Sequence, residues 1–311
     1  CENLFWGQVN NRALESLMHD TSSSAVLIEL RKAADQSLKT NPAAVSRLRS
    51  AGETDPHGPE LRATRRAFAD ADRAAILALA YRLFGDERYL HAARAILLQW
   101  AEVNVPTGHP IDETRLDGLL WSYDLVCNDL DAQSRNNVAA YFDRIYAAKV
   151  AWKFGPRTRN NNHRTHQIKS LLLLAQVTGN QRALDDARQQ AVLHTTVNLD
   201  ADTGASRDYT ERDALYYHAF NLDAWLEIAL LGDCCLETVK KSFWFGMHKL
   251  QKQDIGSEFA HSSASIDQRR DQAGFHYAKA GSTFDEKRYT RSILAYSTLI
   301  DSAEDSGLWK T

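Results

Sequence analysis

The stretch GDERYLHAAR, Gly85–Arg94, decides the fold, because it ends one helical segment and begins another within a few residues. Residues 66–84 before it carry apolar side chains at helical spacing, and a glycine such as Gly85 is a natural residue to end a helix. The segment GNQRALDDAR, Gly179–Arg188, repeats the glycine, both arginines, the leucine and an alanine in register. Helical hairpins that recur with short turns predict an α-solenoid or a closed α/α toroid.

The composition favours an all-α globular protein, and we expect a single domain over residues 1–311. Hydrophobic residues make up 44% of the chain and charged residues 25%, and only six prolines and fifteen glycines interrupt it. Such low proline and glycine contents favour long helices. Further helices are predicted at Glu113–Asp129, Ala132–Val150, His163–Thr178, Thr210–Leu231 and Leu236–Lys252.

The overall charge and the apolar runs exclude two classes of protein. The net charge is -3, so the surface as a whole does not favour binding to nucleic acid or to a membrane. No apolar run is long enough to span a bilayer, and we predict no transmembrane segment.

The four cysteines do not form a disulfide scaffold in a chain of this length. Cys1 is compatible with the lipid-bearing first residue of a mature bacterial lipoprotein, with half of a disulfide, or with an arbitrary chain end. We predict that Cys127 is a buried free thiol. The adjacent Cys234 and Cys235 can pair with each other only with strain.

A polar stretch, RTRNNNHRTHQ, occupies residues 157–167 just before a long apolar run. Asn161 or Asn162 is placed to cap the following helix. His163 then lies in the first turn, where the helix dipole disfavours an imidazolium, so that a neutral ring is available as a base. His163 and His166 have a spacing at which both can face one metal ion, but no cysteine or carboxylate is near in sequence, and we predict no metal site.

This stretch lies in a basic zone, because no acidic residue occurs between Asp143 and Asp185. A cleft lined by such a zone attracts anions, whereas a solvated basic face is the alternative. The zone contains Lys149, Lys153, Arg157, Arg159, Arg164, Lys169 and Arg182.

A second cluster is SRDYTERDALYYHAFNLDAW, residues 206–225. Thr210 and Asp213 fit a capping box, which places Arg212 in the first turn of a helix. Tyr217 lies one to two turns further along that helix. Three other aromatic residues of the cluster are interpreted as core, and so is a histidine: Tyr216, Phe220, Trp225 and His218.

A third stretch, GHPIDETRLDGLLWSYDL, residues 108–125, leads from a proline-containing loop into a helix with Trp121 and Tyr123. Aromatic side chains at a cleft wall can stack on sugar rings, and they are at least as often part of a core.

Together these motifs resemble the alginate lyase superfamily of polysaccharide lyases. The resemblance rests on NNH at the start of a helix, on DALYYHAFNLDA some fifty residues later, and on PIDETRLDGLLWSYDL before both. It spans roughly residues 108–231. It implies an α/α toroid with a long cleft, β-elimination on a polymer of uronic acids, and no metal or organic cofactor.

The resemblance also implies roles for individual residues. The family's Asn-His pair matches Asn162 and His163, and its tyrosine matches Tyr217. Its arginine lies seven residues before that tyrosine, where this chain has Thr210. Arg212 and Arg207 are the nearby substitutes, and we predict that Arg212 takes the catalytic role. Predicted substrate-binding residues are Arg207, Asn161, Arg159, His166, Trp121 and Tyr123.

The residue types suit β-elimination independently of the resemblance. The C5 proton beside a uronate carboxylate can be removed only if the carboxylate charge is neutralised, which Asn162 and an arginine can do by hydrogen bonding. His163 or a deprotonated Tyr217 can take the proton, and Tyr217 can protonate the leaving oxygen. The predicted partner is an anionic polysaccharide, by default mannuronate-rich alginate and nearly as readily a glucuronan, which favours a periplasmic or secreted protein.

Three alternatives remain open from the sequence. A glycoside hydrolase on the same kind of toroid needs paired carboxylates, for which Asp112, Glu113, Asp208, Glu211 and Asp213 are candidates. A non-catalytic polysaccharide-binding protein needs the cleft and the basic zone alone. A scaffold of the α-solenoid type needs an exposed apolar groove.

Overall fold

The computed structural model describes residues 24–51, 57–212, 215–252 and 262–263, and within these ranges the regular structure is helical. Pairs of helices are joined by short connections, so the predicted all-α class built from helical hairpins is confirmed. The helices are α1 Ser24–Ser37, α2 Pro59–Phe84, α3 Glu87–Val103, α4 Asp117–Val126, α5 Ala132–Ala151, α6 Asn162–Val177, α7 Gln181–Asn198, α8 Arg207–Arg212, α9 Leu215–Gly232 and α10 Leu236–Gln251. Among them, none is long and apolar enough to cross a membrane.

The repeated sequence forms the same turn twice, as predicted. Gly85 and Gly179 both have a left-handed backbone, with φ of 67° and 69°, which glycine adopts without steric cost. The next residue then caps the following helix in both copies. The Asp86 carboxylate accepts from the backbone N–H of Arg88, and the Asn180 side chain accepts from that of Ala183.

Two predicted helices differ from the structure. Helix α4 is shorter than the predicted Glu113–Asp129, because Glu113 turns its carboxylate back onto the backbone N–H groups of Thr107 and Gly108. The predicted helix Thr210–Leu231 is wrong at its start, since α8 already begins at Arg207. Thr210 is therefore no N-cap: its hydroxyl donates to the carbonyl of Ser206, and Asp213, its predicted capping partner, lies outside the described residues.

The described chain divides into two compact units. The first holds the described residues up to Trp152 together with Leu173–Ala183, and the second holds Lys153–Leu172 together with the described residues from Leu184 onward. In the first unit, the fully buried Trp100 donates from Nε1 to the buried carboxylate of Asp70. In the second, the core includes Trp225 and Ile168. The single domain stays a prediction.

The cysteines differ from expectation at one position. Cys127 is buried as predicted, but it is disulfide-bonded, so the prediction of a free thiol is wrong. The lipid-anchor prediction concerns Cys1, which lies outside the described residues. Cys234 and Cys235 are free and half-buried thiols, with the two sulfur atoms 3.2 Å apart.

Candidate active site

Each asparagine of the triplet 160–162 is fixed by a different hydrogen bond. The Asn160 carbonyl accepts from the side chain of Asn198 at 3.0 Å. The Asn161 side chain accepts from the backbone N–H of His163 at 3.0 Å, so Asn161 is the cap of α6. The backbone N–H of Asn162 donates to the Asp208 carboxylate at 2.8 Å. The start of α6 is therefore held in one position by three separate partners.

A network of buried, hydrogen-bonded side chains lies next to the start of α6. Asn198 Oδ1 accepts from the side-chain amide of Asn221 at 2.9 Å and from the indole N–H of Trp225 at 2.7 Å. The Thr165 hydroxyl donates to Asn221 Oδ1 at 2.7 Å and also lies 3.0 Å from Nε2 of His194. Because satisfied buried networks are rigid, they fix α6, α7 and α9 to one another at the level of the asparagines.

Asp208 connects the helix start to α8. Its side chain is buried, and burial raises its pKa to about 7, although the positive charge of Arg212 and the N–H of Asn162 act in the opposite direction. From the sequence, Asp208 is a candidate only as a carboxylate of a hydrolase. Its position as an acidic residue in the first turn of a helix was the only sign in the sequence of a further role. Nothing in the sequence predicts that its carboxylate contacts Asn162.

Arg212, the last residue of α8, and Tyr217, in α9, lie against each other. The guanidinium carbon of Arg212 lies 3.4 Å from the centroid of the Tyr217 ring, and both residues are half-buried. Arg207, the other predicted substitute for the family's arginine, instead forms an ion pair with Glu211 at 2.5 Å on a solvent-exposed face. The structure therefore favours Arg212 over Arg207 as the cation beside the tyrosine.

The two histidines of the polar stretch 157–167 have different environments. His163 is half-buried in the first turn of α6, as predicted. His166 is only 3% exposed, and its ring lies 4.2 Å from that of Phe220, which favours a packing role over direct substrate contact. Within the described residues, no group of three or more histidine, cysteine, aspartate or glutamate side chains could hold a metal ion.

His218 is the core histidine that the sequence predicts. Its Nε2–H donates to the Ser242 carbonyl at 2.9 Å, and Nδ1 accepts from Ser206, whose hydroxyl lies at 3.0 Å. Burial lowers its pKa to about 4, so the ring is neutral at physiological pH. The Tyr217-His218 pair is thus one half-buried tyrosine followed by a structural histidine.

The basic zone is less continuous than its sequence suggests. Lys149 pairs with Glu113 at 3.5 Å, and Lys169 lies 3.8 Å from Glu227, each lysine being almost fully buried. The half-buried Arg164 has a pKa lowered by burial and donates to Gln190 at 2.9 Å. Four members of the zone remain on the surface: Lys153, Arg157, Arg159 and Arg182.

Trp121 and Tyr123 belong to the first compact unit. Tyr123 is 5% exposed, its ring packs edge-on against Phe142 at 5.3 Å, and burial raises its pKa. The predicted sugar contact of Tyr123 is therefore not supported, and the core alternative applies to this residue. Trp121 is half-buried.

The sequence matches the model of the family named Alginate lyase over residues 18–238. The chain belongs to the alginate lyase family. It is a polysaccharide lyase, as predicted. A comparison with curated proteins finds no match.

Solved alginate lyases share the fold at low sequence identity. An alginate lyase from Bacteroides ovatus is 16% identical with a TM-score of 0.64, covering 92% of this chain and 94% of that one. Alginate lyase A1-III from Sphingomonas species A1 is 14% identical with a TM-score of 0.55, covering 80% and 79%. A histidine-to-alanine variant of A1-III, complexed with a tetrasaccharide, has a TM-score of 0.59 at 12% identity, covering 85% and 86%. These likenesses show the α/α toroid fold class that the sequence resemblance implied.

Proposed function

We propose that this lyase cleaves a uronate-containing polysaccharide by β-elimination, with Asn162, His163, Arg212 and Tyr217 as catalytic residues. The observation that carries the proposal is the linked arrangement of Asn162, Arg212 and Tyr217 within one compact unit, with His163 directly after Asn162 in the first turn of α6. Asp208 accepts from the N–H of Asn162, the charge of Arg212 acts on Asp208, and Arg212 lies on the Tyr217 ring.

The first requirement of the reaction is neutralisation of the uronate carboxylate. Removal of the C5 proton places additional negative charge on that carboxylate, and hydrogen-bond donors already held in position stabilise the charge as it develops. In the proposal, Arg212 supplies the cation and the side-chain amide of Asn162 supplies a second donor. The backbone of Asn162, whose side chain is almost fully buried, is joined to α8 through Asp208, which supports a fixed relation between the start of α6 and α8.

The second requirement is a base and an acid. We assign the base to His163, because a histidine in the first turn of a helix lies at the positive end of the dipole, which disfavours its protonated form. We assign the acid to Tyr217, which gives its proton to the leaving glycosidic oxygen. The Arg212 guanidinium stabilises the phenolate that remains, since it lies 3.4 Å from the ring centroid.

The substrate proposed by default is mannuronate-rich alginate, with a glucuronan as the second candidate. The displacement of the arginine from position 210 to position 212 supports testing both, because a cation two residues along a helix points in a different direction. Cleavage of an extracellular polymer also supports the proposal of a periplasmic or secreted protein.

Two of the five carboxylates considered for a hydrolase, Asp112 and Glu113, are engaged in bonds within the first compact unit. Asp112 accepts from the backbone N–H groups of Ser50 and Ala51 at 2.7 and 2.6 Å, and Glu113 pairs with Lys149. These bonds give both carboxylates a structural role and favour elimination over hydrolysis.

The decisive experiment incubates the protein with polymannuronate, polyguluronate and glucuronan while the ultraviolet absorbance of the unsaturated uronate product is recorded. We expect an absorbance increase with at least one polymer, and its loss in His163→Ala and Tyr217→Phe variants that still bind that polymer. New reducing ends without the absorbance increase would indicate hydrolysis and overturn the proposal. Full activity in both variants would overturn the assigned mechanism.

A further inference from the structure

Helix α10 carries a row of four polar and aromatic side chains at intervals of four residues. The row consists of Lys240, Trp244, His248 and Lys252, the last in the turn directly after the helix. Residues four apart lie on the same face of a helix, so the row extends over roughly 18 Å at a rise of 1.5 Å per residue. A second row beside it contains Phe245 and Lys249.

These two rows line a surface groove of about 520 Å³, together with the turn at Asp202 and Thr203. The Trp244 side chain is 46% exposed, which is unusual for so large an apolar ring on a folded protein. Its ring lies 6.0 Å from that of His248, also on the exposed side of the helix. The groove therefore presents a wide aromatic platform to solvent.

Positive charge surrounds this platform. Four lysines line the groove against two acidic residues, Asp202 and Glu237. Of the lysines, Lys240 pairs with Glu237 at 3.0 Å and Lys241 donates to the Ala201 carbonyl at 2.7 Å, which holds both at the groove wall. Lys249 lies 5.5 Å from the ring centroid of Tyr209, and Lys252 is exposed at the end of the row.

We infer that the α10 groove, defined by the two rows, is a second binding site for the anionic polysaccharide, and none of the residues that line it is assigned to catalysis. This inference rests on the proposed function for the identity of the polymer. A tryptophan between lysines fits a chain of sugar rings that carry carboxylates, because the apolar ring face packs on the indole while the carboxylates meet the ammonium groups. The net charge of the whole chain is -3, whereas the groove itself carries four lysines against two acidic residues.

The test measures binding and turnover separately. Affinity electrophoresis through gels containing the uronate polymer, in a Tyr217→Phe background that prevents cleavage, gives the Kd. We expect Trp244→Ala to weaken binding about tenfold, as expected for loss of an aromatic anchor, and Lys249→Gln/Lys252→Gln to lower the salt dependence of binding. Lys32→Gln/Lys39→Gln, two exposed lysines of the first unit, is the matched charge control and should bind like the parent protein.

Turnover in the otherwise wild-type protein provides the second measurement. Trp244→Ala should lower kcat/KM on the long polymer and leave kcat/KM on a tetrasaccharide unchanged. Unchanged polymer binding by Trp244→Ala, or equal retardation of the parent protein in a neutral polysaccharide or in DNA, would overturn the inference. If no uronate polymer is cleaved but the retardation still depends on Trp244, the proposed function fails and the binding site stands.

Discussion

The guanidinium carbon of Arg212 lies over the phenol ring of Tyr217, 3.4 Å from the ring centroid. Arg207, five residues earlier, pairs with Glu211 on the exposed side of the same short helix. Two arginines that are equivalent in the sequence pattern thus have different surroundings, and only Arg212 adjoins a residue assigned to the reaction.

Substitution of the two arginines should separate their roles. We expect Arg212→Gln to lower kcat/KM by about 100-fold or more, because it removes a charge that stabilises the transition state. Arg207→Gln, the matched control, should lower kcat/KM by less than about threefold, since exposed ion pairs contribute little. Initial rates on the cleaved polymer provide the measurement, and a larger loss in Arg207→Gln would assign the carboxylate contact to Arg207 instead.

Asp208 should make the protein less stable as the pH rises. Its pKa is about 7 in the folded state, raised by burial from the ordinary 3.8, so the folded protein binds an extra proton between these values. Its contribution to the free energy of unfolding is greatest below pH 4 and falls, by an amount on the order of 4 kcal/mol, as the pH rises to 7.

An Asp208→Asn variant tests this, because the amide oxygen can still accept from Asn162. Urea midpoints measured from pH 4 to 8 should show that the variant gains stability relative to wild type as the pH rises. Asp143→Asn, at an exposed position, is the control. Parallel curves for wild type and Asp208→Asn would contradict the raised pKa.

His218 should have the opposite pH dependence. Burial lowers its pKa from 6.5 to about 4, so the unfolded chain binds the extra proton between these values. The contribution of His218 to the free energy of unfolding is fully present above pH 6.5. It is lost, by an amount on the order of 3 kcal/mol, as the pH falls to 4. We expect His218→Gln to unfold more easily at pH 7 but with a smaller loss on acidification than wild type, by urea denaturation. The exposed His91→Gln variant should match wild type throughout.

Gly108 should tolerate no side chain. Its φ is 77°, and a Cβ atom at this position would lie 2.1 Å from the carbonyl oxygen of Ala148. Gly108→Ala should therefore reduce the free energy of unfolding by at least about 2 kcal/mol, from backbone strain and steric overlap together. Gly155→Ala is the matched control, because its Cβ would meet no atom within 4 Å, and thermal unfolding should distinguish the two. Equal melting temperatures would show that the loop shifts freely.

Local sequence patterns predicted much of the fold. The glycine and the capping residue of each repeated turn are adjacent in sequence, and the physical preferences that place them act over a few residues. The cap of α6 at Asn161 and the core position of His218 were predictable on the same basis. The recurrence of apolar residues at helical spacing likewise predicted the all-α class.

The tertiary structure decided which residues form the candidate site. Asp208 accepts from Asn162, 46 positions away in the sequence. Arg212 rather than Arg207 adjoins Tyr217. Lys149 and Lys169 are buried beside acidic residues instead of lying on a basic surface. The disulfide at Cys127, which was predicted to be a free thiol, also depends on the tertiary structure. Such contacts depend on how whole helices pack, whereas spacing and capping chemistry are contained in the contiguous residues of the chain.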